Sequence, residues 1–273
     1  MKSFKKDAFI AIFGQYFGCM KFLISLAIRY IPRKKLQLVG HFFAKALSLF
    51  YLGKGVQCPV CQHQFRKFLP YGRKGRDNAL CPQCLALERH RLLWLYLKQK
   101  TDLFESSLKM LHIAPEYCFM DRFEALPNLD YITADIESPL AKIKMDIHHI
   151  PFDDNTVDCA MCNHVMEHVD DDYKAMSELF RVLKPGGWAI MQVPFYEPIP
   201  DTTYEDPSIT SKAARFKAYG QEDHLRLYGK DYATRLASVG FKVQEDYFIN
   251  DLDQSTVQKY ALPHEAVYFC QKR

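Results

Sequence analysis

The sequence predicts an α/β protein, a mostly parallel sheet with helices on both faces, preceded by an αα-hairpin and a small zinc ribbon. Three observations carry this. From residue 101 onward short apolar runs (Met110–Ile113, Tyr131–Ala134, Val157–Cys162, Ala189–Val193) alternate with helical patterns such as Tyr173–Leu183. Strands alternating with helices build βαβ units and a parallel sheet. Two Cys-x-x-Cys pairs stand between residues 53 and 100, and residues 1–52 hold two apolar stretches whose polar residues gather on one helical face. The predicted units are therefore 1–52, 53–100 and 101–273.

With 273 residues, 48% hydrophobic and 25% charged, the chain is not a disulfide-stapled miniprotein, a collagen-like repeat or a wholly disordered polypeptide. Its formal charge of +4 hides a strong asymmetry. Residues 1–52 hold nine Lys/Arg against one acid, residues 53–100 ten against two, and residues 101–273 seventeen against twenty-nine. A basic first third precedes an acidic remainder.

The first stretch runs from Ala8 to Ile28 and approaches the roughly 20 apolar residues that cross a bilayer. Yet Asp7, Gly14, Gly18, Lys21, Ser25 and Arg29 all fall within one sector of about 80°, which a lipid-facing span does not require. A signal peptide fits less well, since no small-x-small cleavage site follows. After Pro32 and a basic turn, Gln37, His41, Lys45 and Ser48 mark one face of a second helix, Leu36 to Leu52. Three readings of this hairpin stand: packing on the protein, lying in the plane of a membrane surface, or spanning the bilayer.

Nine cysteines are present and four are organised. Cys58-Pro59-Val60-Cys61 is followed by Cys81-Pro82-Gln83-Cys84. Two such pairs bring four thiolates to one tetrahedral ion, and four protein ligands leave no open position, so a structural Zn2+ is expected. Two disulfides are the alternative. The five scattered cysteines and the missing export signal disfavour it and point to a reducing, cytoplasmic compartment, with a peripheral position at the inner membrane face on the in-plane reading. Between the pairs, Phe65, Phe68 and Tyr71 interleave with Arg66, Lys67, Arg73, Lys74 and Arg76. Such a loop can grip phosphates and stack bases, so RNA is a candidate partner; a solvated loop, or one docked on the acidic part, is the plainer reading. The next helix, from Leu85, carries His90 as a helix-face residue rather than a fifth metal ligand.

Further along, the motifs together resemble a class I S-adenosylmethionine-dependent methyltransferase. Lys109–Ile113 is similar to the family's first strand and Tyr131–Ile136 to its second. Met145-Asp146-Ile147 followed by Ile150-Pro151-Phe152-Asp153 is similar to the stretch leading into strand four. Asn163-His164-Val165-Met166-Glu167-His168 and Leu183-Lys184-Pro185-Gly186-Gly187 are similar to the segments after strand four and before strand five. The resemblance implies a Rossmann-like sheet of seven strands with an antiparallel last strand, and S-adenosylmethionine as cofactor. Phe241–Ile249 and Glu265–Gln271 then form the final antiparallel pair.

A sulfonium cofactor carries adenine, a diol and an amino acid. The resemblance places Asp135 to accept the ribose hydroxyls beside Ile136, as acids do in related nucleotide folds. It places Asp146 to accept from the adenine amino group with Ile147 packing on the ring, and Asn163, His164 and Val165 along the cofactor. The first loop departs from the family. His112-Ile113-Ala114-Pro115-Glu116-Tyr117-Cys118 has Ala114, Glu116 and Cys118 where glycines are common. Either Glu116 receives the methionyl ammonium, with His112, Ala114 and Pro115 around it, or cofactor binding has been lost. The intact acids favour binding.

Residues 194–229 form the expected substrate-covering lid, in which Pro194, Pro198, Pro200 and Pro207 oppose regular structure. His224 is the candidate general base, with an unperturbed pKa of about 6.5. Equally, His224 and Arg226 fasten the lid to the domain. His164 and His168, four apart, share a helix face but lack a third metal ligand in view, and Cys159 and Cys162 read as a buried strand. Acceptors on RNA and lipid-linked or small amphiphilic acceptors both suit the basic first third; a non-catalytic cofactor-binding or assembly module is the third reading.

Overall fold

The computed structural model describes residues 48–72 and 75–273. The chain divides after Tyr51, and the account below concerns Leu52–Arg273. Residues 48–51 are helical; the rest of the expected hairpin, with Arg73 and Lys74 of the basic loop, lies outside the described residues.

A cysteine ribbon opens this unit. Strand β1 (Leu52–Gln57) pairs antiparallel with β2 (Gln64–Phe65), and β3 (Leu69–Tyr71) with β4 (Arg76–Leu80). A side chain at Gly55 would strike the Arg66 carbonyl, so glycine is required where the two strands close. Phe65 and Phe68 are fully buried with ring centroids 6.1 Å apart. This corrects the expectation that they stack bases: so small a ribbon has few other apolar groups for its core, and of the three aromatics only Tyr71 is exposed.

Helix α1 (Glu88–Lys100) follows, and every residue from His90 to Leu97 is buried. A helix with one dry face is amphipathic; one buried on all sides is enclosed by protein. Trp94 stacks on Phe119 and Phe123, both at 5.9 Å, while Tyr96 meets Phe248 edge-on at 5.5 Å. At the ribbon end the fully buried Arg91 guanidinium donates to the carbonyls of Asn78, Ala79 and Ala86 and to those of Tyr260 and Ala261. Ribbon, helix and sheet thus share one compact unit.

The sheet contains β5 (Leu108–Ile113), β6 (Leu129–Asp135), β7 (Ile143–Lys144), β8 (Val157–Cys162), β9 (Leu183–Ile190), β12 (Lys242–Asp246) and β13 (Val267–Gln271). Their order is β12-β13-β9-β8-β5-β6-β7, with β13 antiparallel to both neighbours. The seven-stranded, mostly parallel sheet with an antiparallel last strand is as expected. In β8, Cys159 to Cys162 are all inaccessible, as a central strand covered on both faces must be. Helices α2 (Tyr117–Glu124) and α3 (Asp172–Val182) make the crossovers β5–β6 and β8–β9.

Chain order reverses around β5, which pairs with β6 on one side and β8 on the other. Open sheets bind ligands in the crevice beyond the carboxyl ends at such a switch point. Residues 194–229 cover more regular structure than their prolines suggest. β10 (Tyr204–Glu205) pairs with β11 (Arg226–Leu227), and α4 (Lys212–Tyr219) forms beyond the last proline, capped by Ser211 and by Gly220 in the left-handed region. Helix α5 (Tyr232–Ser238) precedes β12, and a 3-10 turn (Phe248–Asp251) and α6 (Gln254–Tyr260) precede β13. Among the described residues no helix is long and apolar enough to cross a membrane.

Candidate functional site

Cys58, Cys61, Cys81 and Cys84 converge at one end of the ribbon, with all four sulfurs within 4.8 Å of one another. Cys58 Sγ stands 3.6 Å from Cys84 Sγ, and Cys61 Sγ 3.7 Å from Cys81 Sγ. Thiolates about 2.3 Å from a central zinc stand about 3.8 Å apart in a tetrahedron. The two turns are built alike: Gln62 N donates to Cys58 O and Leu85 N to Cys81 O. The residue after each second cysteine, Gln62 and Leu85, has positive φ (64° and 62°). Neither is a residue type that favours this region. The donor set and spacing fit a tetrahedral cation.

The second site lies at the carboxyl ends of β5, β6 and β8. Ala114, directly after β5, takes φ 48° and donates its N–H to Ala134 O at 2.9 Å. The loop therefore keeps the left-handed turn for which glycine is usual, with a methyl group in place. Glu116 closes the turn at the start of α2. Its Oε1 accepts from Asn163 Nδ2 at 2.9 Å, and Oε2 pairs with His112 Nε2; His112 Nδ1 meets Tyr131 Oη at 2.8 Å. Burial opposes ionisation of Glu116, but His112 above all, then His90 and Asn163, outweigh it and hold the carboxyl at about 2. Glu116 thus carries a fixed negative charge at the switch point. Its carboxylate retains acceptor capacity, since two oxygens offer about four lone-pair sites. His112 is fully buried, so it supports Glu116 from behind and does not face a ligand.

Asp135 ends β6. Its Oδ1 accepts from the amides of Glu137 at 2.7 Å and Ser138 at 2.6 Å, while Oδ2 accepts nothing among the described residues. Ile136 beside it is 57% exposed. Asp146 is also exposed and accepts at Oδ1 from the amide and ring of His148, which lower its pKa, the amide most. Ile147 belongs to the core, so its side chain is not the adenine platform expected from sequence. Asn163 accepts from Gln192 N, and His164, at φ 56°, donates its amide to Gln192 O. Val165 packs against the core. The side chains of Ala114, Pro115 and Glu116 are part-buried along this edge.

His224 stands at one end of the residue 194–229 segment, yet only 1% of it is exposed and neither ring nitrogen has a hydrogen-bond partner. Burial pushes its pKa down. It lies beside His168, ring centroids 4.8 Å apart, and beside the buried Glu167. Arg226, two residues on, donates to the carbonyls of Met166, Val169 and Asp170. The fastening role weighed for Arg226 is therefore present. Glu167 stood unassigned in the Asn163–His168 stretch; its i,i+3 spacing from His164 was the available signal. Nothing local in the sequence pointed to Tyr131 or to the burial of Arg91.

Over residues 105–191 the chain matches the family described as a methyltransferase domain. A 60-residue stretch is 38% identical to an uncharacterized 37.1 kDa protein in transposon TN4556 of Streptomyces fradiae, covering 22% of this chain and 17% of that one. Another, of 74 residues, is 36% identical to the ubiquinone/menaquinone biosynthesis C-methyltransferase UbiE of Haemophilus ducreyi, covering 27% of this chain and 24% of that enzyme. The match thus spans only 17% and 24% of these two relatives' lengths. Among solved structures, an S-adenosylmethionine-dependent methyltransferase from Archaeoglobus fulgidus aligns with 66% of this chain and 93% of its own, at 14% identity and TM-score 0.44. One from Mesorhizobium loti aligns with 66% and 97%, at 12% identity and TM-score 0.42.

Proposed function

We propose that this chain, whose residues 105–191 match a methyltransferase domain, transfers a methyl group from S-adenosylmethionine to an acceptor held over the carboxyl edge of its sheet. One observation carries the reading: the switch point joins a left-handed turn at Ala114, a part-buried carboxylate at Glu116 and the unpaired Oδ2 of Asp135 beside exposed Ile136. In this reading Asp135 Oδ2 accepts from the ribose diol and Ile136 covers one face of adenine. Asp146 accepts from the adenine amino group, and Glu116 receives the methionyl ammonium. Asn163 and His164 hold the loop that borders the sulfonium. When bound, the cofactor supplies an electrophilic methyl whose bond to sulfur breaks as the acceptor's bond forms. The chain aligns the two partners, and alignment is the larger part of what such a transfer requires.

Cys58, Cys61, Cys81 and Cys84 hold a structural Zn2+ in this reading. The favoured acceptor is a lipid-linked or small amphiphilic molecule presented at an anionic membrane surface. Leu49, Phe50 and Leu52 are 69%, 73% and 52% exposed at the end of the basic first segment, and basic apolar segments bind anionic surfaces. RNA is less favoured, because Phe65 and Phe68 are in the ribbon core.

Calorimetry tests the cofactor site: micromolar S-adenosylmethionine binding is expected, weakened about 10- to 100-fold in Asp135→Ala for the loss of charge-assisted hydrogen bonds. No binding at millimolar cofactor overturns it in favour of an assembly module. A labelled-methyl assay against whole-cell extract, separated into RNA, protein, lipid and small molecules, tests the acceptor. Label in the lipid fraction is expected; label in RNA overturns the amphiphile.

A further inference from the structure

We propose that Glu167, His168 and His224 form a second metal site, for a first-row divalent cation such as Zn2+, separate from the cysteine cluster. Each residue offers one ligand atom, and the three atoms lie within 4.8 Å of one another. Glu167 and His224 are each 1% exposed.

Three polar atoms here make no well-formed hydrogen bond, although the Tyr219 backbone acts on the His224 ring. Six buried side-chain nitrogen or oxygen atoms lack a hydrogen bond among the described residues, and three of them are Glu167 Oε2, His224 Nδ1 and His224 Nε2. An unmade hydrogen bond on a buried group is costly, and half of these atoms share one small space. A cation bound between the carboxylate and the imidazoles satisfies the Glu167 carboxylate and one of the two His224 nitrogens.

The surrounding structure is already arranged for coordination. His168 Nδ1 lies 3.2 Å from Asp223 O, so its N–H is directed at a backbone carbonyl and Nε2 is left as the ligand, 3.9 Å from Glu167 Oε1. Metal-bound histidines commonly donate their other N–H in this way. His164 Nδ1 stands 3.5 Å from Glu167 Oε1, on a residue held at positive φ. The Asp223 carboxylate approaches His168 to 3.7 Å from the solvent side.

The two segments that carry the ligands are joined by backbone-directed bonds. Leu225 N donates to Glu167 O at 2.8 Å, and Arg226 binds the carbonyls of Met166, Val169 and Asp170 at 2.6, 2.7 and 2.9 Å. His224 is therefore fixed against Glu167 before any cation arrives. Two imidazoles and one carboxylate suit zinc and its first-row neighbours, and three protein ligands leave a coordination position open. This distinguishes the site from the closed cysteine tetrahedron. The metal site does not depend on methyl transfer being the function.

The test is metal stoichiometry, measured on the full chain without substrate. The protein is loaded with Zn2+, freed of excess by gel filtration and analysed by mass spectrometry of the metal. Two zinc ions per chain are expected for the wild type and one for Glu167→Gln and His224→Ala. His168→Asn, a change at a more exposed position, keeps the test valid if the buried variants fail to fold; it should weaken the second zinc at least tenfold in a chelator-buffered titration. With Co2+ the second equivalent should add absorption without the thiolate-to-metal band of the first. One zinc per chain in the wild type overturns the proposal, as does a Glu167→Gln or His168→Asn protein that binds the second zinc as tightly as the wild type.

Discussion

Replacing Arg91 with Ala removes the guanidinium that joins the cysteine ribbon to the end of α6. Its Nε and Nη2 donate to Tyr260 O at 2.6 Å and Ala261 O at 2.8 Å, and Nη1 and Nη2 reach the Ala79, Ala86 and Asn78 carbonyls at 2.7 to 3.2 Å. The cation also lies 4.1 Å from the centre of the Phe68 ring. Hydrogen bonds to a charged group contribute about 1.5–3 kcal/mol each, so five would reach roughly 7–15 kcal/mol gross. Two effects reduce this. Burial lowers the Arg91 pKa, a sign that its desolvation is already costly, and water entering the vacated space rescues some carbonyls. Removing one partner of a buried charged cluster typically costs about 3–5 kcal/mol, and about 4 kcal/mol is expected here. In a domain of this size that lowers Tm by about 8–16 °C. The assay is urea unfolding followed by circular dichroism at saturating Zn2+, with zinc release to a coloured chelator in parallel. Release should quicken, because Ala86, an Arg91 partner, also accepts from Cys81 N. Arg91→Lys should recover only part of the loss, since an ammonium lacks the planar fork. A cost below about 1 kcal/mol for Arg91→Ala, with an unchanged denaturant slope, would refute this account of how the ribbon is held.

Three further outcomes follow. Burial, with the neighbouring Arg89 adding to it, pushes the His90 imidazole down to about 3, so below about pH 6.5 the unfolded chain takes up a proton that the folded one refuses. Stability should fall with pH between about 6.5 and 3, by up to about 1.4 kcal/mol per unit from this group; the difference between wild type and His90→Asn in unfolding free energy should narrow over that range, and a constant difference would refute the assignment. Asp172, bound by both Arg235 and the Tyr228 hydroxyl in a buried cluster, should cost about 3–5 kcal/mol when changed to Ala, read from the urea midpoint. Removing zinc with a chelator should lower stability by about 4 kcal/mol relative to protein at a thousand times the zinc Kd, seen as a zinc-dependent Tm; a Tm indifferent to zinc would argue for a cysteine cluster without a cation.

Parts of this molecule were legible because one local signal sufficed. β5, β6 and β8 read as continuous apolar runs because both faces of each strand are covered. The paired cysteines read as a cluster because their spacing forms the turns. Other parts needed the tertiary structure. Arg91 sits in the run Glu88-Arg89-His90-Arg91, which looks like solvated charge; its acceptors at Tyr260 and Ala261 lie 169 and 170 residues away. Burial on every side of α1 erased the periodicity that reveals a helix face. Phe65 and Phe68 beside basic residues matched a base-stacking pattern, and only the size of the ribbon decides that they are its core. Helix α4 did carry readable signals, Ser211 before it and Gly220 after it, outweighed by the four prolines upstream. Glu167 and His224 are 57 positions apart in the chain, and no local pattern links them.

The backbone carries a further pattern. Among the described residues seven non-glycine residues have positive φ: Gln62, Asn78, Leu85, Ala114, Asn155, His164 and Ala261. Two are asparagines, which tolerate that region. The other five sit at the places where the structure does something specific. Gln62 and Leu85 close the cysteine turns. Ala114 and His164 follow the two strands that flank the switch point. Ala261 turns its carbonyl to Arg91. Each such conformation costs about 1 kcal/mol or more for a residue with a Cβ and persists where neighbouring bonds hold it. Those bonds are present at Ala114 through Ala134 O and at His164 through Gln192 O. On the proposed function, the glycine-poor first loop, the main departure from the methyltransferase pattern, is accommodated by these bonds. The turn is preserved by its hydrogen bond, and the position of a second glycine is taken by Glu116, whose part-buried carboxylate His112 and Asn163 hold.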